Sequence, residues 1–139
     1  MKKLFTLGFI GVLAGIALAG FLKVIQLITG NQAYVLLFEV DYVPVLQDLS
    51  PVSVIQFSFH FGACIFSVIA LYFVLQMFHW EKTVTAYMAF IIIGSSILYL
   101  LTMLSPNTPK VTDIVALGYW VIGHGIFSVI VGVFVKKWV

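Results

Sequence analysis

Charged residues are scarce in this sequence, and their scarcity excludes an ordinary soluble domain. Only 9% of the 139 residues are Asp, Glu, Lys or Arg, whereas 63% are hydrophobic. Soluble domains contain about a quarter charged and about half apolar residues. The composition therefore indicates a membrane protein. The net charge of +2 is small, and we expect no nucleic-acid partner.

Cysteines and catalytic motifs are lacking as well. Cys64 is the only cysteine, which excludes an internal disulfide. The sequence contains no Walker loop, no His-Glu-x-x-His motif and no nucleophile elbow. No carboxylate lies inside a predicted helix away from its ends. We therefore predict no catalytic residues and no enzymatic activity.

Four long apolar runs are present instead, at about 4–28, 52–78, 83–104 and 114–135. Each reaches the roughly 20 residues that cross a bilayer as a helix. They predict an all-α polytopic membrane protein with four transmembrane helices in a single domain, residues 1–139. The connection 31–51 is rich in Val, Leu, Phe and Tyr, so we expect this outer loop to be membrane-associated, either lying on the membrane surface or dipping into the bundle.

The N-terminal segment also fits a secretory signal, because two lysines precede an apolar core and an Ala-x-Ala site at 17–19. Its apolar run continues to Ile28, beyond the usual end of a signal core, so we expect it to be retained as the first helix.

The loop lysines predict the orientation. One side carries Lys2, Lys3, Lys82, Lys136 and Lys137. Loops on the other side carry only Lys110. The positive-inside rule therefore places both termini in the cytoplasm, with Glu39, Asp41 and Asp48 outside.

A five-residue string, Ile-Phe-Ser-Val-Ile, occurs at 65–69 and again at 126–130. Two readings remain open, a duplicated helical hairpin or chance similarity between apolar helices. The alignment does not pair the two nearby histidines, because His60 falls opposite Val121 and His124 opposite Ala63. At 1.5 Å per residue, His124 lies roughly one turn deeper than His60 in the outer half of the membrane.

Small residues recur at four-residue intervals on one face of the first helix, at Gly11, Gly15 and Ala19, and Lys23 continues the series. Such a face lets helix backbones approach closely, as Gly123 also does in the fourth helix. Lys23 would then point into the bundle as a candidate site. The alternative is a lysine that reaches the outer headgroups.

Polar side chains also follow one face of the second and fourth helices. The second helix has Gln56, His60, Cys64 and Ser67 on one face, and the fourth has Asp113, Trp120, His124 and Ser128, with Gly132 on the same face. The third helix adds Ser95 and Ser96. An unpartnered polar group in hydrocarbon costs several kcal/mol, so these faces should turn inward and form a polar outer half of the bundle.

Three uses of this polar interior compete. The histidines fix helix register by hydrogen bonding, or they bind or relay protons or a small solute, or they ligate haem or a metal. Their difference in depth argues against haem, and we expect no cofactor and no metal. The candidate proton or solute site consists of His124, His60, Lys23 and Asp113.

Several short motifs occur in the order seen in the YagU family of bacterial inner-membrane proteins, which the chain resembles. They are FIGVLAG at 9–15, Lys23, IFSVI at 65–69, LSPNTP at 104–109, the Gly123-His124 pair and VKK at 135–137. The resemblance implies a multi-pass protein of the cytoplasmic membrane, without an established biochemical activity and associated with acid resistance. It carries over Gly11, Gly15 and Gly123-His124, whereas Lys23 and His60 are displaced from the family positions.

We therefore expect a membrane protein that supports acid resistance by binding protons or a small solute. Four short helices enclose little volume, so a complete transport path would need a homodimer within the lipid. The alternative is a structural or accessory subunit, without a ligand of its own, that acts through a protein partner.

Overall fold

The computed structural model describes residues 1–39 and 53–139. Its elements are α1 (Lys2–Thr29), α2 (Ala33–Leu36), α3 (Ser53–Met77), α4 (Val84–Leu98) with a 3₁₀ extension (Tyr99–Leu104), and α5 (Ile114–Trp138). The described ranges contain no strand. Four helices, α1, α3, extended α4 and α5, are long and apolar enough to cross a membrane. This confirms the predicted all-α class with four membrane-spanning helices.

The helix ends follow from local sequence. Gly30 ends α1 with a φ of 74°, a left-handed conformation that glycine adopts without steric cost. Its N–H donates to the carbonyl of Gln26 at 2.9 Å. At the start of α5, the Asp113 carboxylate accepts a hydrogen bond from the N–H of Ala116 at 2.9 Å, so Asp113 is an N-cap.

The helices pack in the order α3, α1, α5, α4. Helix α1 contacts both α3 and α5, and α4 contacts α5, whereas the described residues of α3 and α4 are not closely packed on each other. Close approaches depend on glycine. A β-carbon at Gly11 would lie 2.9 Å from the Cα of Ile65, and one at Gly123 would lie 2.9 Å from Leu18 Cδ1. Because α3 and α4 lie at opposite ends of this packing order, the two helices stand apart although they are consecutive in the sequence.

Both termini and the turn between α3 and α4 lie at the same end of the bundle. Lys3 Nζ donates to the Tyr72 hydroxyl at 3.1 Å, and Lys82 Nζ donates to the carbonyl of Val135 at 3.5 Å. The five lysines counted on one side of the predicted bundle thus share one end. Which end faces the cytoplasm stays a prediction from the lysine count.

The predicted outer loop, 31–51, is described only as far as Glu39. Four of its apolar residues are buried in the core: Ala33, Leu36, Leu37 and Phe38. This part of the loop therefore packs against the helices. Asp41 and Asp48, which we predict to face outside, lie beyond the described residues.

Candidate functional site

A cavity of about 490 Å³ lies where α3 and α4 stand apart, and we call it the α3–α4 cleft. Its polar lining consists of His60, Cys64 and Ser67 from α3, Ser95 from α4, and Trp120 and His124 from α5. Pockets for small molecules typically measure about 300–1,000 Å³ and combine apolar walls with a few polar groups. The cleft exceeds the small volume that we expected four helices to enclose, because α3 and α4 do not close on each other.

His60 holds α3 against α1. Its side chain is only 4% exposed, and Nε2 donates to the carbonyl of Gly15 at 3.3 Å. A β-carbon at Gly15 would lie 3.0 Å from Cys64 Sγ, so the missing side chain allows this close contact. The sulfur of Cys64 is 3.8 Å from the same nitrogen. The imidazole therefore links two helices as well as lining the cleft.

His124 lies on the α5 wall of the cleft and is partly buried. Its Nδ1 donates to the carbonyl of Trp120 at 2.8 Å, and the centres of the two rings are 4.3 Å apart. The indole Nε1 of Trp120 donates to the carbonyl of Ser95 at 2.8 Å. This chain of contacts ties the position of His124 to both α4 and α5.

The two backbone carbonyls decide where each neutral imidazole carries its proton. A carbonyl only accepts, so His60 is protonated on Nε2 and His124 on Nδ1. The other nitrogen of each ring is then a hydrogen-bond acceptor. Within residues 1–39 and 53–139, no group hydrogen-bonds to Nε2 of His124. The cleft can therefore accept a hydrogen bond from a bound molecule.

Lys23 is not in the cleft. It is exposed, its Nζ donates to Gln26 Oε1 at 2.8 Å, and it lies 4.7 Å from the centre of the Tyr34 ring. Burial raises the pKa of the Tyr34 hydroxyl, so the cation faces a neutral phenol ring. Lys23 therefore follows the alternative that we left open, a lysine extended along the surface near a helix end.

Asp113 is also separate from the histidines. Besides capping α5, it lines a second cavity of about 360 Å³ at the end of the bundle, together with Thr29 and Thr108. Of the four predicted site residues, the structure thus brings His60 and His124 together in one cavity and places Lys23 and Asp113 elsewhere.

The predicted packing residues lie at helix contacts. Gly11 and Gly15 face α3, and Gly123 faces α1. Ala19 is partly buried against the core. Across the described residues, no three His, Cys, Asp or Glu side chains are grouped to hold a metal ion.

Sequence reasoning missed the apolar part of the cleft. Phe59, Phe90 and Phe127 line it, as do the small residues Ala63 and Gly94. An apolar side chain gives no sign of whether it faces lipid or a cavity, because both surroundings are apolar. Only the polar residues on one face of each helix indicated in the sequence that a side chain faces the interior, and these residues include His60, Ser95, Trp120 and His124.

Comparison of the chain with protein-family models, with curated proteins and with solved structures gives no match. The resemblance to the YagU family stays a prediction from the sequence. The function must therefore be argued from the cleft.

Proposed function

We propose that this chain is a multi-pass protein of a bacterial cytoplasmic membrane, with both termini inside, that binds a small solute in the α3–α4 cleft and thereby contributes to acid resistance. The observation that carries the proposal is the presence of His60 and His124 in one cavity of about 490 Å³.

The shape of the cleft favours a solute over a proton alone. A proton relay needs ionisable groups within hydrogen-bonding reach of each other, and among the described residues no hydrogen bond joins His60 to His124; each ring donates instead to a backbone carbonyl, Gly15 for His60 and Trp120 for His124. A cavity of this size serves no purpose for a bare proton. It suits a small molecule that makes one or two polar contacts.

Acid survival tests this function. A strain lacking the gene is complemented with wild type, with His124→Phe, or with Gly94→Leu. Gly94 lines the cleft, and no atom of the described residues lies within 4 Å of a β-carbon there, so a leucine side chain can start into the open space and reduce the cavity. Gly118→Leu is the matched control, because Gly118 is equally unobstructed.

We expect His124→Phe and Gly94→Leu to survive acid less well than wild type, and Gly118→Leu to survive equally well. Membrane levels of each variant are checked by immunoblot. Full rescue by both cleft variants would eliminate the proposal.

A structural role is the second candidate, and one observation favours it. His60 bridges α3 to α1 through the Gly15 carbonyl, as a residue that only fixes helix register would do. In that case, filling the cleft at Gly94 leaves acid survival unchanged, whereas loss of His60 lowers the amount of folded protein.

The proposed orientation is tested separately. Gln32→Cys and Lys82→Cys are each made in a Cys64→Ala background, and intact cells are treated with a membrane-impermeant maleimide. We expect labelling at position 32 and none at 82. The reverse pattern would mean that the termini lie outside.

A further inference from the structure

We propose that the α3–α4 cleft selects an uncharged amphiphile that donates a hydroxyl hydrogen, of the phenol or quinol class, and that Nε2 of His124 accepts this hydrogen bond. The inference rests on the proposed function, namely that the cleft binds a small solute, and it specifies the chemistry of that solute.

The hydrogen-bond pattern of the site decides what the ligand must supply. His124 uses its one N–H on the Trp120 carbonyl, and the Trp120 indole uses its own on the Ser95 carbonyl. The hydroxyl of Ser67 donates to the carbonyl of Cys64 at 2.9 Å, and that of Ser95 to the carbonyl of Ile92 at 3.0 Å. Apart from the weakly donating Cys64 thiol, the side-chain donors of the cleft are thus occupied, and the second nitrogens of His60 and His124 remain as acceptors. A ligand with a donor fits such an acceptor.

The described lining of the cleft carries no charged side chain, and this favours an uncharged ligand. Among the residues that the structure describes, none that lines the cleft is Asp, Glu, Lys or Arg. A buried ion without a partner carries a large desolvation cost. A neutral hydroxyl needs only one hydrogen bond, which His124 can accept.

The apolar walls favour a ring. Trp120 and three phenylalanines, Phe59, Phe90 and Phe127, line the cleft. Aromatic side chains pack on flat rings at tilted or stacked angles. The gap between α3 and α4 lies along membrane-spanning segments, so the hydrocarbon layer is the direct route of entry. A molecule that already partitions into the bilayer therefore suits the cleft.

A pair of probes isolates the hydroxyl donor. 2-Naphthol and 2-methoxynaphthalene have the same ring system, but only the naphthol can donate a hydrogen bond. Binding of each is measured by equilibrium dialysis against the full chain in lipid nanodiscs, with protein-free nanodiscs as the reference. We expect naphthol to bind wild type about fivefold more tightly, the value of a typical single hydrogen bond.

His124→Phe keeps the ring and removes the acceptor, so it should bind both probes equally. His79→Phe is the matched control, because His79 lies in the turn after α3 and outside the cleft. It should keep the fivefold preference. In ¹⁵N-histidine spectra, naphthol but not its methyl ether should shift the unprotonated nitrogen of His124, which a purely structural histidine would not show.

The outcomes separate the two proposals. If neither probe binds above the protein-free reference, or if Gly94→Leu leaves binding unchanged, the α3–α4 cleft does not take a hydroxyl-bearing ring and this inference fails, whereas the proposed function fails only if both cleft variants fully rescue acid survival. If both probes bind wild type equally, or if naphthol keeps its preference in His124→Phe, the cleft binds solutes but the hydroxyl assignment is overturned. Thermal unfolding of each variant confirms that it is folded.

Discussion

The close contact of α1 with α3 leads to a prediction about two glycines of the same helix. A β-carbon at Gly11 would lie 2.9 Å from the Cα and 3.1 Å from the N of Ile65, whereas one at Gly20 would have no atom of the described residues within 4 Å. Backbone atoms cannot swing away as a side chain can, so Gly11→Ala must push the helices apart. Overpacking of this kind costs about 1–3 kcal/mol.

Comparing Gly11→Ala with Gly20→Ala isolates this packing cost. Both changes gain the same helix propensity, about 1 kcal/mol, so the difference between the variants is the overpacking alone. At roughly 3 °C per kcal/mol for a chain of this size, Gly11→Ala should unfold about 3–9 °C below Gly20→Ala.

The only cysteine provides the assay. Cys64 is 6% exposed, so a thiol-reactive fluorescent maleimide labels it when the bundle opens on heating. The unfolding midpoint of each detergent-purified variant is read from this labelling. A Gly11→Ala midpoint equal to or above that of Gly20→Ala would refute the close approach of α1 and α3.

Two further predictions use the same thiol assay. Asp113→Ala should lower the free energy of unfolding by about 1 kcal/mol, because the N–H of Ala116 loses its cap. Asp113→Asn keeps a capping oxygen and should unfold near the wild-type temperature. Equal unfolding midpoints for all three proteins would contradict the cap. Trp120→Phe should lower the free energy of unfolding by about 1 kcal/mol, because it removes the hydrogen bond to the Ser95 carbonyl. Trp80→Phe is its control, because Trp80 is exposed, and it should leave the unfolding midpoint unchanged.

Sequence reasoning could predict the number of membrane-spanning helices but not how they pack. Length and apolarity suffice for the spans, because lipid demands about 20 apolar residues for each helix. Packing order needs a buried face, and in a bilayer both the lipid side and the core side of a helix are apolar. Leu7 is fully buried and Phe5, two residues earlier, is 79% exposed, although both are simply apolar in the sequence.

Only the polar residues of the candidate site could be predicted from the sequence. His60 and His124 stood out because a polar group in hydrocarbon must find a partner, and both did. Lys23 and Asp113 lie near helix ends, where headgroups, capping and solvent satisfy a polar group equally well. The cleft itself depends on the separation of α3 from α4, which is a tertiary property without a local sequence pattern.

The repeated string gives the last prediction, because its two copies bury different faces. Phe66 is 73% exposed and its counterpart Phe127 is 3% exposed, while Val68 is fully buried and its counterpart Val129 is 40% exposed. The same five residues thus meet different neighbours, since α5 packs between α1 and α4 but α3 packs on α1. Phe127→Ala should lose about 2 kcal/mol of stability, the cavity part of a buried Phe→Ala change.

Phe66→Ala should leave the unfolding midpoint within 1 °C or so of wild type, because an exposed ring in a spanning helix exchanges contacts with lipid rather than with protein. Both variants are compared by the labelling of Cys64, two residues before Phe66. Equal losses from the two substitutions would mean that the copies occupy equivalent environments, as a symmetric pair of duplicated hairpins requires. The burial pattern argues for the opposite result: whatever the origin of the repeat, only the second copy contributes its phenylalanine to the core and to the wall of the α3–α4 cleft.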